Sequence, residues 1–144
     1  MDVAFRPARL QDFDYCAKLY FAEMERFIVE LQLDRAAQAA GFRERWRVGE
    51  VRLITLDGLD IGWLQTQTED GALFLAQLFV QSSCQRRGIG TLVMRRLIAE
   101  AAHAGDAVTL GVVRGNPALR LYQRLGFRVT HEDSRKFYMR REPT

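Results

Sequence analysis

Apolar residues recur at two different periods along this chain, and the changes of period mark out its elements. Val3-Ala4-Phe5-Arg6 reads as a short first strand. Over residues 10–33, Phe13, Ala17, Tyr20, Met24, Phe27 and Leu31 fall at three- and four-residue steps, which is the spacing of one helix face. Asp12 and Asp14 near its start suit the positive end of a helix dipole. A second helical stretch spans 35–47, interrupted by Gly41. Strand-like runs follow at 51–56, 61–66 and 73–80. Asp57-Gly58 and Asp70-Gly71 separate them, a pattern that predicts an antiparallel meander.

The second half alternates differently. Ile89, Val93, Leu97 and Ala101 mark one face of a helix, with Arg95, Arg96 and Glu100 on another, and Gly105 fits its stop. The run 107–113 is mostly apolar, as a central buried strand requires. Asn116 suits an N-cap, Pro117 the first helical position, and Gly126 the end of a short helix whose Ala118, Leu121, Tyr122 and Leu125 share a face. Two strands, 127–130 and 136–140, close the chain.

Composition narrows the class. At 144 residues the chain reads as a single domain, 1–144, with 48% hydrophobic and 27% charged residues, the balance of a soluble globular protein. No apolar run approaches membrane-spanning length and the N-terminus lacks a signal-peptide pattern, so no membrane partner and a cytoplasmic location are expected. The formal charge is +3, carried almost wholly by arginine, since Lys18 and Lys136 are the only lysines. The arginines are scattered, so nucleic acid is not expected as a partner. Arg95-Arg96 and Arg140-Arg141 read as solvated faces or edge-strand protection. Cys16 and Cys84 are far apart and form no metal-type spacing. They are read as reduced thiols, and no metal is expected. Cys84 leaves open both a nucleophilic role and a bystander role, and neither His103 nor His131 has a claim to pair with it.

The stretch with the most chemistry is Gln85-Arg86-Arg87-Gly88-Ile89-Gly90, set between a strand and a helix. Free N–H groups of a first helical turn and the helix dipole favour an anion there, glycine lets a backbone approach it, and Arg86 and Arg87 add charge. The Walker pattern fails for want of Gly-Lys-Ser/Thr, and the dinucleotide fingerprint fails for want of its third glycine. A diphosphate site and a plain strand-to-helix turn both remain open on this loop alone.

Two motifs taken together resolve that choice. Gln85, Gly88 and Gly90 match Gln/Arg-x-x-Gly-x-Gly/Ala. About 30 residues later Asn116, Tyr122, Gly126 and Phe127 match Asn-x-x-Ala/Ser-x-x-x-Tyr-x-x-x-Gly-Phe, with one residue of slack between Asn116 and Tyr122. In both motifs, and in element order over nearly its whole length, the chain resembles the GNAT superfamily of acetyl-CoA-dependent N-acetyltransferases. The resemblance implies an α+β fold: a mixed, mainly antiparallel sheet of six to seven strands, helices on both faces, and a V-shaped splay between two parallel central strands. It implies acetyl-CoA as cosubstrate, with backbone near Leu78, Phe79 and Val80 pairing with the pantetheine arm. The amides from Arg86 through Arg87, Gly88, Ile89 and Gly90 to Thr91 would hold the pyrophosphate, and Asn116 and Tyr122 would line the arm.

The implied reaction is direct attack of a primary amine on the thioester. A backbone N–H near Val80 would stabilise the oxyanion, and Tyr122 would protonate the leaving thiolate. The strand before the loop offers Ala76 and Gln77 where many family members carry a carboxylate, so no general base is assigned; Glu23, Glu25, His131 and Glu132 are the candidates elsewhere. The acceptor, a small molecule or a protein amine, would meet the first helix, where Glu23, Glu25 and Phe27 are the candidate contacts and Trp46 and Trp63 could pack. The same glutamates, with Glu30, could equally be the wet side of the helix. A homodimer is compatible with the resemblance. The alternative function is an acyl-CoA sensor on the same fold with little turnover.

Overall fold

Two Asp-Gly pairs shape the first half of the sheet. Asp57 and Gly58 have φ of +50° and +85°, and Asp70 and Gly71 have +50° and +75°. Two consecutive left-handed residues make the tight turn whose twist matches that of paired strands. The turns join β2 (Val51–Leu56) to β3 (Leu59–Glu69) and β3 to β4 (Ala72–Val80). The computed structural model describes residues 2–144. Its remaining elements are β1 (Val3–Pro7), α1 (Phe13–Glu30), α2 (Arg35–Arg45), α3 (Ile89–His103), β5 (Ala107–Val113), α4 (Ala118–Arg124), β6 (Arg128–Glu132) and β7 (Lys136–Arg141), with short 3-10 turns between some of them. The seven strands form one mixed sheet in the order β1-β2-β3-β4-β5-β7-β6. β1 with β2, β2 with β3, β5 with β7 and β6 with β7 are antiparallel, and β4 with β5 is parallel.

The chain packs as two compact units. The residues up to Gln65 together with Gln77–Gln85 form the first. In α1, Cys16, Leu19, Tyr20 and Ile28 turn inward at helical spacing. Cys16, Leu19 and Tyr20 meet Phe42 and Trp46 from the second helical segment and Val51, Leu53 and Trp63 from the strands, with Phe13, Phe21 and Phe79 packed against this core. The rings adopt tilted and edge-to-face contacts, such as Tyr20 on Phe42 at 4.8 Å and Phe13 on Trp46 at 5.3 Å, the arrangements that ring quadrupoles favour. Arg6 ties β1 to the start of α1 and to β3, with Asp12 at 3.0 Å and Asp60 at 2.8 Å.

Thr66–Ala76 with Arg86–Thr144 form the second unit. Here α3 buries Ile89, Val93, Met94, Leu97 and Ala101. The parallel ladder runs from Ala72 opposite Ala107 to Leu75 opposite Leu110 and ends there, although β5 continues to Val113 beside β7. All five residues of β6 are exposed, as befits an edge strand.

The expected elements are present with shifted ends. α1 begins at Phe13 after a 3-10 turn over Leu10–Asp12 and stops at Glu30. Gly41 does not break α2. A Cβ there would meet only the tip of Arg45, and the Asp34 side chain caps the helix by accepting from the Ala36 N–H. Trp46 and Trp63 are buried core residues.

Gly62 in β3 leaves no room for a side chain. A Cβ on it would lie 2.2 Å from the Phe79 carbonyl oxygen and 3.0 Å from the Val80 Cα, both backbone atoms that cannot swing away. The Gln81 N–H donates to the Ile61 carbonyl at 2.7 Å and holds the two segments together. Gly62→Ala is therefore expected to lower stability by about 1–3 kcal/mol, the usual cost of overpacking. Urea denaturation of the variant checks this, and an unchanged midpoint would refute the contact.

Candidate active site

Within the first unit, the end of β4 is tied to α1. Leu78, Phe79 and Val80 are half-buried. The Phe79 ring lies 5.3 Å from Trp63 and 5.3 Å from Tyr20, which fixes the strand end on the core. Two glutamines then fasten the following turn to α1. Gln81 Nε2 donates to the Tyr15 hydroxyl at 2.7 Å. Gln85 Nε2 donates to the Val80 carbonyl at 2.8 Å and to Glu23 Oε1 at 3.3 Å. The motif glutamine thus uses its two amide protons to clasp the last residue of β4 to a carboxylate on α1.

That clasp separates the three glutamates of α1. Glu25 accepts two hydrogen bonds from Arg35, at 2.7 and 2.8 Å, and these hold its carboxyl below the usual range. Glu30 pairs with Arg26 one helical turn away. Glu23 has no cationic partner among the described residues and stays beside Val80. Of the expected acceptor contacts, the structure brings Glu23 to the strand end, commits Glu25 to an ion pair, and leaves Phe27 47% exposed one turn further on.

Within the second unit, the glycine loop leads into α3. Gly88 has φ +76° and acts as the N-cap of α3, and Arg86 is left-handed at +62°, an uncommon state for a residue with a side chain. The backbone N–H groups of Arg86, Arg87, Gly88, Ile89, Gly90 and Thr91 find no acceptor among the described residues. Gly90 is informative because the protein's own packing does not demand it. Beyond its chain neighbours and its own helix backbone, no described atom lies within 4 Å of the place a Cβ would occupy, and its φ is not left-handed. Glycine in a helix costs about 1 kcal/mol relative to alanine, so local stability argues against it. A loop of free amides with an open glycine is the form taken by backbone anion sites.

α4 carries the second motif. The helix starts at Ala118, one residue later than expected, and Asn116 still caps its first turn, with Oδ1 accepting from the Ala118 N–H at 2.9 Å. Gly126 ends the segment at φ +94°. Tyr122 is half-buried and packs on Phe127 at 5.8 Å. Its hydroxyl makes no hydrogen bond among the described residues, and burial pushes its pKa above the ordinary phenol value.

The other candidates for proton transfer have structural roles. His131 stacks on Tyr138 at 4.5 Å, and Glu132 pairs with Arg114. Cys16 and Cys84 are free and buried, and burial pushes the Cys16 thiol up to about 12, far from a reactive thiolate. No group of three or more metal-ligating acids, histidines or cysteines occurs among the described residues, and no helix among them is long and apolar enough to cross a membrane. Sequence reading missed Gly62, Gln81 and Tyr15. Gly62 inside a strand pattern was a signal of close backbone approach; the Gln81–Tyr15 pair spans 66 residues and left no local trace.

Residues 47–129, more than half of the chain, match the family model described as acetyltransferase (GNAT) domain. The chain belongs to that family. No curated protein matches it by sequence. Among solved structures it is similar to the PaiA N-acetyltransferase of Thermoplasma acidophilum in complex with coenzyme A, at 16% identity over 99% of both chains with a TM-score of 0.77. The ribosomal-protein-S18-alanine N-acetyltransferase of Escherichia coli is similar at 18% identity over 99% of this chain and 95% of its own, with a TM-score of 0.67. N-acetylglutamate synthase of Neisseria gonorrhoeae, complexed with coenzyme A and N-acetyl-glutamate, matches all of this chain over 36% of its own length, at 19% identity and a TM-score of 0.71.

The β6–β7 turn has a titration of its own. Asp133 accepts from the Arg135 and Lys136 N–H groups and the Tyr138 hydroxyl, and these bonds bring its pKa down to about 2. A depressed folded pKa means the contribution is complete above the unfolded value, about 4, and is lost as pH falls through the folded one. Wild type is expected to melt above Asp133→Ala at pH 6, with the difference shrinking between about pH 4 and pH 2. A difference that does not change with pH would overturn the assignment.

Proposed function

We propose that this protein transfers an acetyl group from acetyl-CoA to a primary amine by direct attack. The observation that carries the reading is the loop 86–91. It has six backbone N–H groups without acceptors among the described residues and a Gly90 that its own packing does not require, so a diphosphate pressed against the backbone accounts for both. Two of the similar structures are complexes with coenzyme A, and two are named as N-acetyltransferases, which supports the same donor and an amine acceptor here.

Each candidate residue then has a role. The amides from Arg86 to Thr91 hold the pyrophosphate, with Arg86 and Arg87 adding charge. Backbone groups of Leu78, Phe79 and Val80 pair with the pantetheine arm, since β5 partners β4 only as far as Leu75. Asn116 meets the arm with the side-chain amide that its helix-capping oxygen leaves free. The acceptor nitrogen attacks the thioester carbonyl, and the N–H near Val80 takes the oxyanion. The C–S bond then breaks, the thiolate receives the Tyr122 proton, and the proton that the nitrogen sheds on becoming an amide passes to water, from which the Tyr122 phenolate is reprotonated. Burial raises the Tyr122 pKa, which keeps the phenol protonated until the thiolate forms. The ammonium form of the acceptor is drawn to Glu23, and its proton leaves to water before attack.

One observation favours the sensor reading: β4 carries Ala76 and Gln77 and no acid near its end. Tyr122→Phe separates the two. A transferase loses turnover about a hundredfold or more, the scale of general-acid catalysis, while acetyl-CoA affinity by titration calorimetry stays within a factor of about two. Gly88→Glu should abolish that binding by filling the anion site with a carboxylate. Tight acetyl-CoA binding with no thiol release on any amine would make the protein a sensor. Absence of acetyl-CoA binding would end the reading altogether.

A further inference from the structure

Little apolar burial anchors α4, since none of its seven residues is fully buried. The strand that leads to it is also held from one side at its end. Among the described residues the ladder between β4 and β5 stops at Leu110, and β5 continues beside β7 to Val113, opposite Lys136. A loop with so little packing behind it takes its position from polar contacts.

Arg114, the first residue after β5, makes those contacts. Its N–H donates to the Arg135 carbonyl at 2.9 Å and its Nε to the Asp133 carbonyl at 2.9 Å. Its Nη2 pairs with the Glu132 carboxylate, and its Cζ lies 4.5 Å from the centroid of the Phe137 ring. One side chain thus combines fixed donors, a charge for a carboxylate and a flat face for an aromatic ring, which a lysine cannot do. All four partners belong to the β6–β7 hairpin.

The turn of that hairpin is itself firmly built. Asp133 Oδ1 accepts from the Arg135 and Lys136 N–H groups, both at 2.7 Å, and Oδ2 accepts from the Tyr138 hydroxyl at 2.8 Å. The Asp133 N–H donates to the Lys136 carbonyl at 3.0 Å. On the other side of Arg114, only Gly115 precedes Asn116. The Asn116 N–H donates back to the Val113 carbonyl at 3.0 Å, and Oδ1 accepts from the Ala118 N–H at 2.9 Å. The end of β5 therefore sets the Asn116 backbone, and Arg114 fixes that end to the β6–β7 turn.

We infer that Arg114 is a positioning residue: by clasping the β6–β7 turn it holds the Asn116 side-chain amide where the pantetheine arm of acetyl-CoA meets it. The inference rests on the role given to Asn116 under Proposed function. Arg114 acts through Asn116 and not on the cosubstrate, so removing it weakens binding and leaves the reacting groups in place.

The test measures acetyl-CoA affinity by titration calorimetry on wild type, Arg114→Ala, Asn116→Ser and the double variant. Serine at position 116 keeps an oxygen for the helix cap and removes the amide donor. Circular dichroism establishes that each variant is folded. Arg114→Ala and Asn116→Ser are each expected to weaken binding about three- to tenfold, the scale of one hydrogen bond, at unchanged stoichiometry. In the Asn116→Ser background, Arg114→Ala then changes the Kd by less than about a factor of two, because the group it positions is gone. Glu132→Gln loosens the clasp without removing the arginine. It weakens binding in the same direction, is silent in the Asn116→Ser background, and carries the test if Arg114→Ala does not fold. A merely structural role lowers the stoichiometry or the melting temperature and leaves the Kd of the binding fraction as in wild type. That result, losses that multiply in the double variant, or an Asn116→Ser variant with wild-type affinity overturns this inference alone. A wild type that binds no acetyl-CoA overturns the transferase reading and this inference with it.

Discussion

β4 has more backbone to pair than β5 provides for. Buried N–H and C=O groups need partners, and the parallel ladder gives them only from Ala72 to Leu75. Beyond that point the strand continues to Val80, and its last residues are fixed by other means. Phe79 stacks into the aromatic core, its carbonyl lies over Gly62, Gln81 bonds the Ile61 carbonyl, and the Gln85 side chain takes the Val80 carbonyl. A strand end that is rigid but short of a partner on one edge can pair with an extended ligand as a further strand would. The proposed use of Leu78, Phe79 and Val80 depends on this constraint, and so does the value of every side chain placed around them.

Glycine has three different uses along this part of the chain. Gly62 is required by the protein, because backbone atoms occupy the space of a side chain. Gly88 is required by its left-handed φ at the start of α3. Gly90 is required by neither and sits in a helical turn that alanine would stabilise. The first two explain how the fold is built. The third leaves the backbone open to an approaching group, and that opening is what the proposed chemistry uses.

Proton transfer is sparsely equipped by comparison. Tyr122 is the one candidate acid whose surroundings alter its titration without a competing hydrogen bond. Most carboxylates that could have acted as a base are engaged: Glu25 by Arg35, Glu30 by Arg26 and Glu132 by Arg114. Glu23 is set apart from them because its contact is a neutral amide and not a guanidinium. Direct attack by a bound amine asks little of a base once the reacting atoms are oriented, because holding the reactants together supplies much of the rate.

Local rules were enough for much of this protein. The period of apolar residues located the helices and strands, the Asp-Gly pairs located the hairpins, and the two motifs identified the family, because each depends on residues close together in the chain. Element ends moved by a residue or a turn, as at Leu10–Asp12 and Pro117, where capping geometry decides between neighbouring residues. Only the tertiary structure could choose among side chains of the same type. It gave Glu25 a partner and left Glu23 beside Val80, and it set Arg114, out of many scattered arginines, against Glu132, Asp133 and Phe137. Those choices rest on contacts between residues distant in sequence, and a one-dimensional pattern of hydrophobic and charged positions carries no record of which charge finds which partner.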